Sequence, residues 1–462
     1  MAGLSSSGVG SGLDINSLVS QLVAAEKETP QKQITRAQTS TVTTISALGN
    51  LKGALGSFNS SLTQLKSIDA FMGRTASSSK PEVFTASAGT TTAAGTYDVE
   101  VVQIASAAQI KSNQFAGGAG QTVGTGTLTI NVGTKNFQVA IDTAHSTLAG
   151  IRDSINQAIG NTDLVRATIV NATDGAHLVL TGTATGEANA ITVAQADGNG
   201  GLASLVYNPG LTTNYAADSR IAQDSIVAVA GFAKHSATTT VTDIIEGVSI
   251  SLLKADPGNI YTLTIANDKS TVTTRIKNFV DQYNSMVSTL AGLSRYEPTT
   301  KVAGPLLGDA MLRGIETDVR RALTDTNSGS TVFSTLAAVG ITTQKDGTLV
   351  LDNAKLTTAL STNFDEVAKL FGGDNGVATR LSGALAPRLA ADAEIDVRSK
   401  RLNQQSIDLQ KKQAALDTRM AQVEARYKQQ FTALDSLLSK LQNTSSFLTT
   451  QLSSIAKIST GS

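Results

Sequence analysis

The sequence predicts an α+β multidomain fold, with terminal helices forming a coiled coil and helical bundle and nested β-rich modules inserted between them. Near both ends of the chain, apolar residues recur every three and four positions, which is the pattern of a helix with one buried stripe. Between about Arg74 and Asp268 the chain is instead rich in Thr, Ala, Gly and Val with period-two alternation, which indicates strands. Helical periodicity returns at Asp268.

The longest predicted helix runs from about Glu394 to Ile455. No glycine or proline lies between Pro387 and Gly461, so the sequence contains no obvious signal that would end it. About sixty residues at ~1.5 Å each make a rod of roughly 90 Å. Its apolar stripe follows a heptad repeat and needs a partner in water. We expect these residues of the stripe to form a coiled-coil and assembly surface: Leu402, Leu409, Leu416, Met420, Val423, Tyr427, Leu434, Leu441, Leu448 and Ile455.

The expected partner is a helix near the other end of the chain, from Gln31 to Lys66. Its apolar face is strong only from Leu48 onward, and the residues assigned to the same surface are Leu48, Leu51, Leu55 and Phe58. We predict an antiparallel coiled coil that joins the two termini. The alternative is that each helix packs on a local globular core. A short amphipathic helix from Ile15 precedes this segment, and Pro30 is expected to end or kink it.

The β-rich region contains a small α+β module between glycine-rich turns. Its predicted elements are a hairpin turning at 133–136, a helix capped by Ser146 or Thr147 that carries Leu148, Ile151, Ile155 and Ile159, and a hairpin at Asp174-Gly175. A second β module contains a strand at 226–229 and a hairpin of 248–252 with 261–265. Strands before residue 112 would complete it.

The remaining elements are predicted to bundle with the terminal helices. A helix from Asp268 has an apolar face from Val272 to Leu293, and other helices include Met311 or begin near Asp352 and Asn363. The resulting segments are an N-terminal leg segment (1–40), a helical domain (41–72 and 269–424), an inner β module (73–112 and 219–268), an inserted outer α+β module (113–218) and a C-terminal leg segment (425–462).

The two leg segments carry very little charge at their extremities. Asp14 is the only charged side chain before Glu26, and from Thr432 onward only Asp435, Lys440 and Lys457 are charged. Soluble coiled coils usually flank their seam with charges. We therefore expect these surfaces to be covered by other subunits, or to be mobile without them.

Composition argues against several functional classes. Lys+Arg and Asp+Glu number 37 each, so no bulk field recruits nucleic acid or an anionic membrane. No apolar run has the length of a membrane-spanning helix, and the N-terminus lacks the pattern of a cleaved signal peptide. Cysteine is absent, which excludes disulfides and thiolate metal sites.

The residues give no pattern that predicts catalysis. The three histidines, His145, His177 and His235, lack ligand spacing. The glycine-rich segment 8–12 follows no strand and precedes no Lys-Ser/Thr pair, and 197–200 lacks the spaced acidic ligands of a calcium loop. We therefore predict no catalytic, cofactor-binding or metal site, no cofactor, and no enzymatic activity.

Several short motifs occur in a specific order along the whole chain. They are Gly12-Leu13-Asp14-Ile15-Asn16-Ser17-Leu18-Val19, Tyr97-Asp98-Val99-Glu100-Val101, Asp174-Gly175-Ala176-His177-Leu178, Ala222-Gln223-Asp224-Ser225, Gly247-Val248-Ser249-Ile250-Ser251-Leu252, Phe279-Val280-Asp281-Gln282-Tyr283-Asn284, Gly304-Pro305-Leu306-Leu307-Gly308-Asp309 and Tyr427-Lys428-Gln429-Gln430-Phe431. In these motifs and their order the chain resembles bacterial flagellar filament cap proteins, the hook-associated protein 2 family. It departs from the family pattern at Asp392-Ala393, where Asp-Gly often precedes the last helix.

The resemblance implies a structural role at the tip of the growing flagellum. It implies a homo-oligomeric ring whose terminal helices point as legs toward the filament, and which retains flagellin while it folds and is inserted. The implied partners are further copies of the chain, flagellin, the hook-filament junction protein and a flagellar export chaperone at the C-terminal helix, with no nucleic acid and no membrane insertion. The implied location is extracellular, at the flagellum tip, after export by the flagellar type III apparatus without a cleaved signal peptide. Two alternatives remain, a carbohydrate-binding surface adhesin and a filament or junction subunit.

Overall fold

The structure, a computed structural model, describes residues 14–209, 214–299 and 301–459, with side chains through residue 453. It separates into two compact units. The helical unit comprises the described residues of Met1–Ser67 and Thr273–Ser462, and the β-rich unit comprises those of Ile68–Val272. Both ends of the chain therefore belong to one unit, and the other unit is inserted between them. The glycine-rich segment 8–12 and the start of the first motif lie outside the described residues.

The helices of the two units are, in chain order, α1 (Ile15–Thr63), α2 (Leu148–Gln157), α3 (Lys269–Ser294), α4 (Ala310–Thr324), α5 (Asn353–Thr362), α6 (Phe364–Phe371), α7 (Val377–Leu389) and α8 (Glu394–Ser459).

The first helix begins where the Asp14 carboxylate accepts a hydrogen bond from the Ser17 amide, at 3.0 Å, and it continues without a break to Thr63. Pro30 was expected to end or kink a short first helix; the first of these predictions is therefore wrong, and a kink at Pro30 stays a prediction. Proline removes one helical hydrogen bond, but Val23 and Ile34 on either side of it both pack against α8. Packing along an amphipathic face contributes most of the stability of such helices, and here it outweighs the one bond that proline removes.

Aromatic rings join three helices in the core of the helical unit. Phe58 of α1 lies 5.8 Å from Phe279 and 5.6 Å from Tyr283 of α3, between ring centroids. Phe279 in turn lies 5.9 Å from Phe371 of α6, edge to face. The apolar face predicted for α3 is confirmed, because each of its residues is buried: Val272, Ile276, Phe279, Tyr283, Met286, Leu290 and Leu293.

The strands are β1 (Arg74–Ser78), β2 (Phe84–Ala88), β3 (Gly95–Gln103), β4 (Ala107–Lys111), β5 (Gly126–Val132), β6 (Lys135–Ile141), β7 (Val165–Ala172), β8 (Gly175–Thr185), β9 (Ile191–Ala196), β10 (Ser225–Val229), β11 (Phe232–Ser236), β12 (Thr240–Thr242), β13 (Val248–Leu252), β14 (Tyr261–Asn267), β15 (Tyr296–Glu297), β16 (Val302–Ala303), β17 (Ile341–Thr343) and β18 (Leu349–Leu351). The last four form two short hairpins in the helical unit.

Two sheets share one core in the inner part of the β-rich unit. One has the strand order β1-β14-β3-β10-β11 and the other the order β12-β13-β2, and apolar residues of both sheets form a single cluster. The predicted hairpin of 248–252 with 261–265 is wrong, because β13 and β14 lie in different sheets. The loop between them crosses from one sheet to the other, and the Asp256 amide bonds the Val101 carbonyl, at 2.8 Å.

The outer part of the β-rich unit consists of the sheets β4-β8-β7 and β6-β5-β9 with α2 packed into their common core. Both predicted hairpins are confirmed, and Thr147 caps α2 by accepting from the Gly150 amide at 3.1 Å. Ile159, predicted on the buried face of that helix, is 98% exposed because α2 ends at Gln157.

The base of the outer part includes residues beyond the expected boundaries at 113 and 218. Strand β4 precedes residue 113, yet it pairs with β8, and its Ala108 and Ile110 lie in the outer core. Ser106 and Gln223 exchange backbone hydrogen bonds of 3.0 and 3.1 Å. We propose that the outer module runs from about 106 to 223.

Candidate assembly surface

The candidate surface is built on α1 and α8, which run antiparallel beside each other. Lys52 near the end of α1 is paired with Asp396 near the start of α8. Lys27 near the start of α1 is paired with Asp417 at 2.6 Å. Long antiparallel partners are what the two heptad patterns predict. The supercoiling and knobs-into-holes packing of a coiled coil stay predictions.

The part of this surface nearest the bundle is largely buried. Leu48, Leu51, Leu55 and Phe58 of α1 are at most 1% exposed. On α8, Leu402 is half-buried and Leu409 is 6% exposed. Burial of this kind stabilises the helical unit. These residues cannot contact another subunit directly, and they contribute to assembly only by holding α1 and α8 in position.

A polar layer interrupts the apolar contacts between the two helices. The side-chain amides of Gln31 and Gln413 each donate to the other's oxygen, and both N···O distances are 2.8 Å. An amide carries both donors and an acceptor, so the pair satisfies both side chains at a half-buried site. Gln413 lies seven residues before Met420, so heptad spacing shows it only as a polar residue that interrupts the apolar seam. Its partner is not evident from spacing, because the two residues are 382 positions apart.

Beyond the polar layer the helices share a small apolar cluster. Leu416, Met420 and Val423 of α8 are buried, and Val23, Ile34 and the half-buried Tyr427 pack against them. Ion pairs flank the cluster. The hydrogen bonds that Asp417 accepts from Lys27, and secondarily from Gln413, lower the pKa of its carboxyl group.

The distal part of α8 leaves its apolar residues in solvent. Since Gln31 lies opposite Gln413, the equal rise of the two helices sets Ile15, the first residue of α1, opposite about residue 429. Leu434, Leu441 and Leu448 are 47%, 57% and 54% exposed. The side chain of Ile455, the last predicted residue, lies outside the described residues.

The residues assigned to the surface leave out three members of this exposed group, although one of them, Leu437, falls at a heptad position. Leu437, Phe447 and Leu452 are 54%, 62% and 66% exposed. Phe447 and Leu452 fall off the two heptad positions, and the rarity of charge after Thr432 was the signal that could have included them. We use the name distal stripe for the exposed set Leu434, Leu437, Leu441, Phe447, Leu448 and Leu452.

The distal stripe offers apolar contact area to another protein surface. Within the described ranges, no three or more His, Asp or Glu side chains come together in a way that could hold a metal ion. None of the described helices combines the length and the apolar character needed to cross a membrane. Chemically, the distal stripe can bury apolar area against another helix.

The sequence and fold match one family of proteins along nearly the whole chain. The family model of the flagellar hook-associated protein 2 N-terminus matches residues 11–108, and that of its C-terminus matches residues 222–443. The chain is 35% identical to the B-type flagellar hook-associated protein 2 of Pseudomonas aeruginosa, with 98% of each chain covered. It is 36% identical to flagellar hook-associated protein 2 of Escherichia coli K12, again with 98% of each covered.

A solved structure supports the same assignment. A crystal structure of the flagellar cap protein from Escherichia coli is 32% identical, covers 77% of this chain and 99% of its own, and superposes with a TM-score of 0.60. The chain belongs to the flagellar hook-associated protein 2 family.

Proposed function

We propose that this protein caps the distal end of the bacterial flagellar filament. In this role copies of the chain form a homo-oligomeric ring that retains exported flagellin and promotes its folding and insertion as the filament grows. Support comes from similarity over 98% of the chain to curated hook-associated proteins and from likeness to a solved flagellar cap protein. The proposed location is the filament tip, outside the cell, after export by the flagellar type III apparatus.

The distal stripe is the observation that carries the proposal. A ring that retains flagellin needs surfaces that bind neighbouring subunits and flagellin. The distal stripe leaves six large apolar side chains exposed on one helix. Exposed apolar patches of this kind mark sites of protein association. We propose that neighbouring copies and flagellin cover it at the filament tip.

Two further partners belong to the same proposal. The hook-filament junction protein would support the cap before the first flagellin is inserted. A flagellar export chaperone would bind the end of α8 before export, because an uncovered stripe of this size favours non-specific association in the cell.

The test introduces charge into the stripe without disturbing the core. Leu441→Asp with Leu448→Asp alters two residues that are more than half exposed, so the isolated protein should fold normally. At the filament tip the same carboxylates would have to be buried without partners, at a cost of several kcal/mol. Cells carrying only this variant should swim poorly and release flagellin into the medium.

The matched control carries the same charge at the same spacing on a face of α8 away from the stripe. Ser446 and Ser453 are also seven residues apart and exposed, and a five-residue offset from 441 and 448 rotates them by about 140° around the helix and by about 100° or more from Phe447. Ser446→Asp with Ser453→Asp should leave motility unchanged. Normal filaments with the Leu441/Leu448 variant would refute the role of the stripe.

A further inference from the structure

The motif Asp174-Gly175-Ala176-His177-Leu178 in the outer module has no part in the assembly surface described above. Asp174 lies in the turn between β7 and β8, and His177 lies on β8 opposite Val170 of β7. The motif is far in sequence from the α1–α8 pair that carries the assembly argument.

Both ring nitrogens of His177 face groups that can only accept hydrogen bonds. Nδ1 is 2.8 Å from the backbone carbonyl oxygen of Ser112, and Nε2 is 3.2 Å from Asp174 Oδ1. A neutral imidazole has a single N–H, whereas an imidazolium has two. Only the protonated ring can donate to both partners at once, and a neutral ring would direct a lone pair at one of the two oxygens.

The two acceptors belong to different parts of the outer module. Ser112 is fully buried and directly follows β4, and its hydroxyl oxygen accepts from the Leu178 amide at 2.8 Å. The residues after it form a strap, 112–116, that lies against the β7–β8 turn. The strap is held there by the paired backbone bonds of Phe115 with Ala176, at 2.8 and 3.1 Å.

We propose that His177 is a pH-sensitive latch: as an imidazolium it ties the β7–β8 turn to the strap after β4, and it loosens both when it loses its proton. The side chain of His177 is 20% exposed, so the ring is shielded yet open to proton exchange with solvent. Loosening the strap exposes Phe115, which is 7% exposed in the closed arrangement.

The groups around the ring of His177 favour its protonated form. The Ser112 carbonyl, and secondarily the Asp174 carboxylate, raise the pKa of His177 above its ordinary value. The other charged groups that line the same hollow are Lys111 of β4 and Asp218 of the segment after β9, and these two pair with each other at 2.6 Å. Their charges largely cancel, which leaves Asp174 as the carboxylate facing the ring.

The latch should stabilise the outer module more at low pH than at high pH. Because the folded protein holds the proton more tightly than the unfolded chain does, the latch stabilises fully below the unfolded pKa of about 6.5. That stabilisation is lost as the pH rises through the higher pKa of the folded state. The outer module should therefore be better latched in acidic medium than in alkaline medium.

The test uses the full chain and observes the latch directly. The chain has three histidines, so an NMR titration with labelled histidine gives three resonances, which His177→Arg and His145→Gln assign. We expect His177 to titrate above about 6.5. Amide exchange, corrected for intrinsic pH dependence, should show about tenfold lower protection at Phe115 and Ala176 above that pKa, as expected for one lost hydrogen bond to a charged group.

Two substitutions separate a latch from a merely structural histidine. His177→Arg keeps a cation with several donors, so protection at Phe115 should stay high at every pH. His177→Leu keeps bulk and removes the donors, so protection should be low at every pH. A His177 that titrates at or below about 6.5, or protection that does not change across its titration, would overturn the proposal.

Discussion

Phe58 is the residue whose removal should most directly test the core of the helical unit. Its ring is fully buried and contacts the rings of Phe279 and Tyr283 on α3. Phe58→Ala removes the apolar volume and both ring contacts, and Phe58→Leu removes mainly the ring contacts. Phe447→Ala on α8 is the control, because that side chain is 62% exposed.

The expected magnitudes differ between the three variants. Phe58→Ala should lower the free energy of unfolding by about 3–5 kcal/mol, since it combines lost burial with a cavity. Each aromatic pair adds about 0.5–1.5 kcal/mol beyond burial, so Phe58→Leu should cost about 1–3 kcal/mol. Against a typical domain stability of about 5–15 kcal/mol, the alanine variant should be severely weakened, and the Phe447→Ala control should be unchanged.

The assay is urea denaturation followed by circular dichroism at the helical band, because tryptophan is absent from the chain. The α1–α8 bundle supplies most of that signal, so its transition can be followed separately from that of the β-rich unit. A loss below about 1 kcal/mol for Phe58→Ala, or equal losses for Phe58→Ala and Phe447→Ala, would refute the assignment of Phe58 to the core.

Three further predictions concern other parts of the chain. Hydrogen bonds from Lys369, and then from Ser330 and Thr331, lower the pKa of Glu366 to about 2. Glu366→Gln should therefore destabilise the protein at pH 7, and its difference in unfolding free energy from wild type should shrink as the pH falls from about 4.5 toward about 2. Parallel curves of stability against pH for the two proteins would contradict this. The Asn156 side-chain amide exchanges hydrogen bonds of 2.9 and 2.8 Å with the backbone of Ala167 on the edge strand β7. Asn156→Ala should destabilise the outer module by about 1–3 kcal/mol and, by freeing a strand edge, promote self-association that sedimentation would detect. The control Asn171→Ala should do neither. Replacement of residues 106–223 by a short Gly/Ser linker should leave a soluble protein with its helical signal, because Ser106 and Gln223 are hydrogen-bonded neighbours; aggregation with every linker length would count against the proposed boundary.

Local patterns predicted most elements of the fold. The period of α3 and the turn at Asp174-Gly175 depend on neighbours within a few residues, and both predictions are confirmed. The failures depend on distant contacts. Pro30 remains inside a helix because α8 packs beside it, and β13 and β14 separate because each finds a better partner elsewhere in the chain.

The candidate surface was predictable up to a definite point. Heptad spacing identifies the residues of α8 that face a partner, and those through Val423 are buried or half-buried in this chain. The reciprocal amides of Gln31 and Gln413 required the register of two helices, which spacing alone does not give. Leu441 and Leu448 are exposed, and the heptad pattern of α8 could not predict this, because it does not specify how far a partner helix extends beside α8.

The pairing of α1 with α8 also affects the order in which the protein can fold. Lys52 and Asp396 are 344 positions apart in sequence, and Gln31 and Gln413 are 382 apart. A chain that emerges from a channel one end first presents one of these helices long before the other is available. Contacts of such long range form slowly, whereas β5, β6, α2 and their neighbours close within about a hundred residues of each other. In a chain that emerges in this way the β-rich unit can fold first, while completion of the helical unit has to wait until the last helix has emerged.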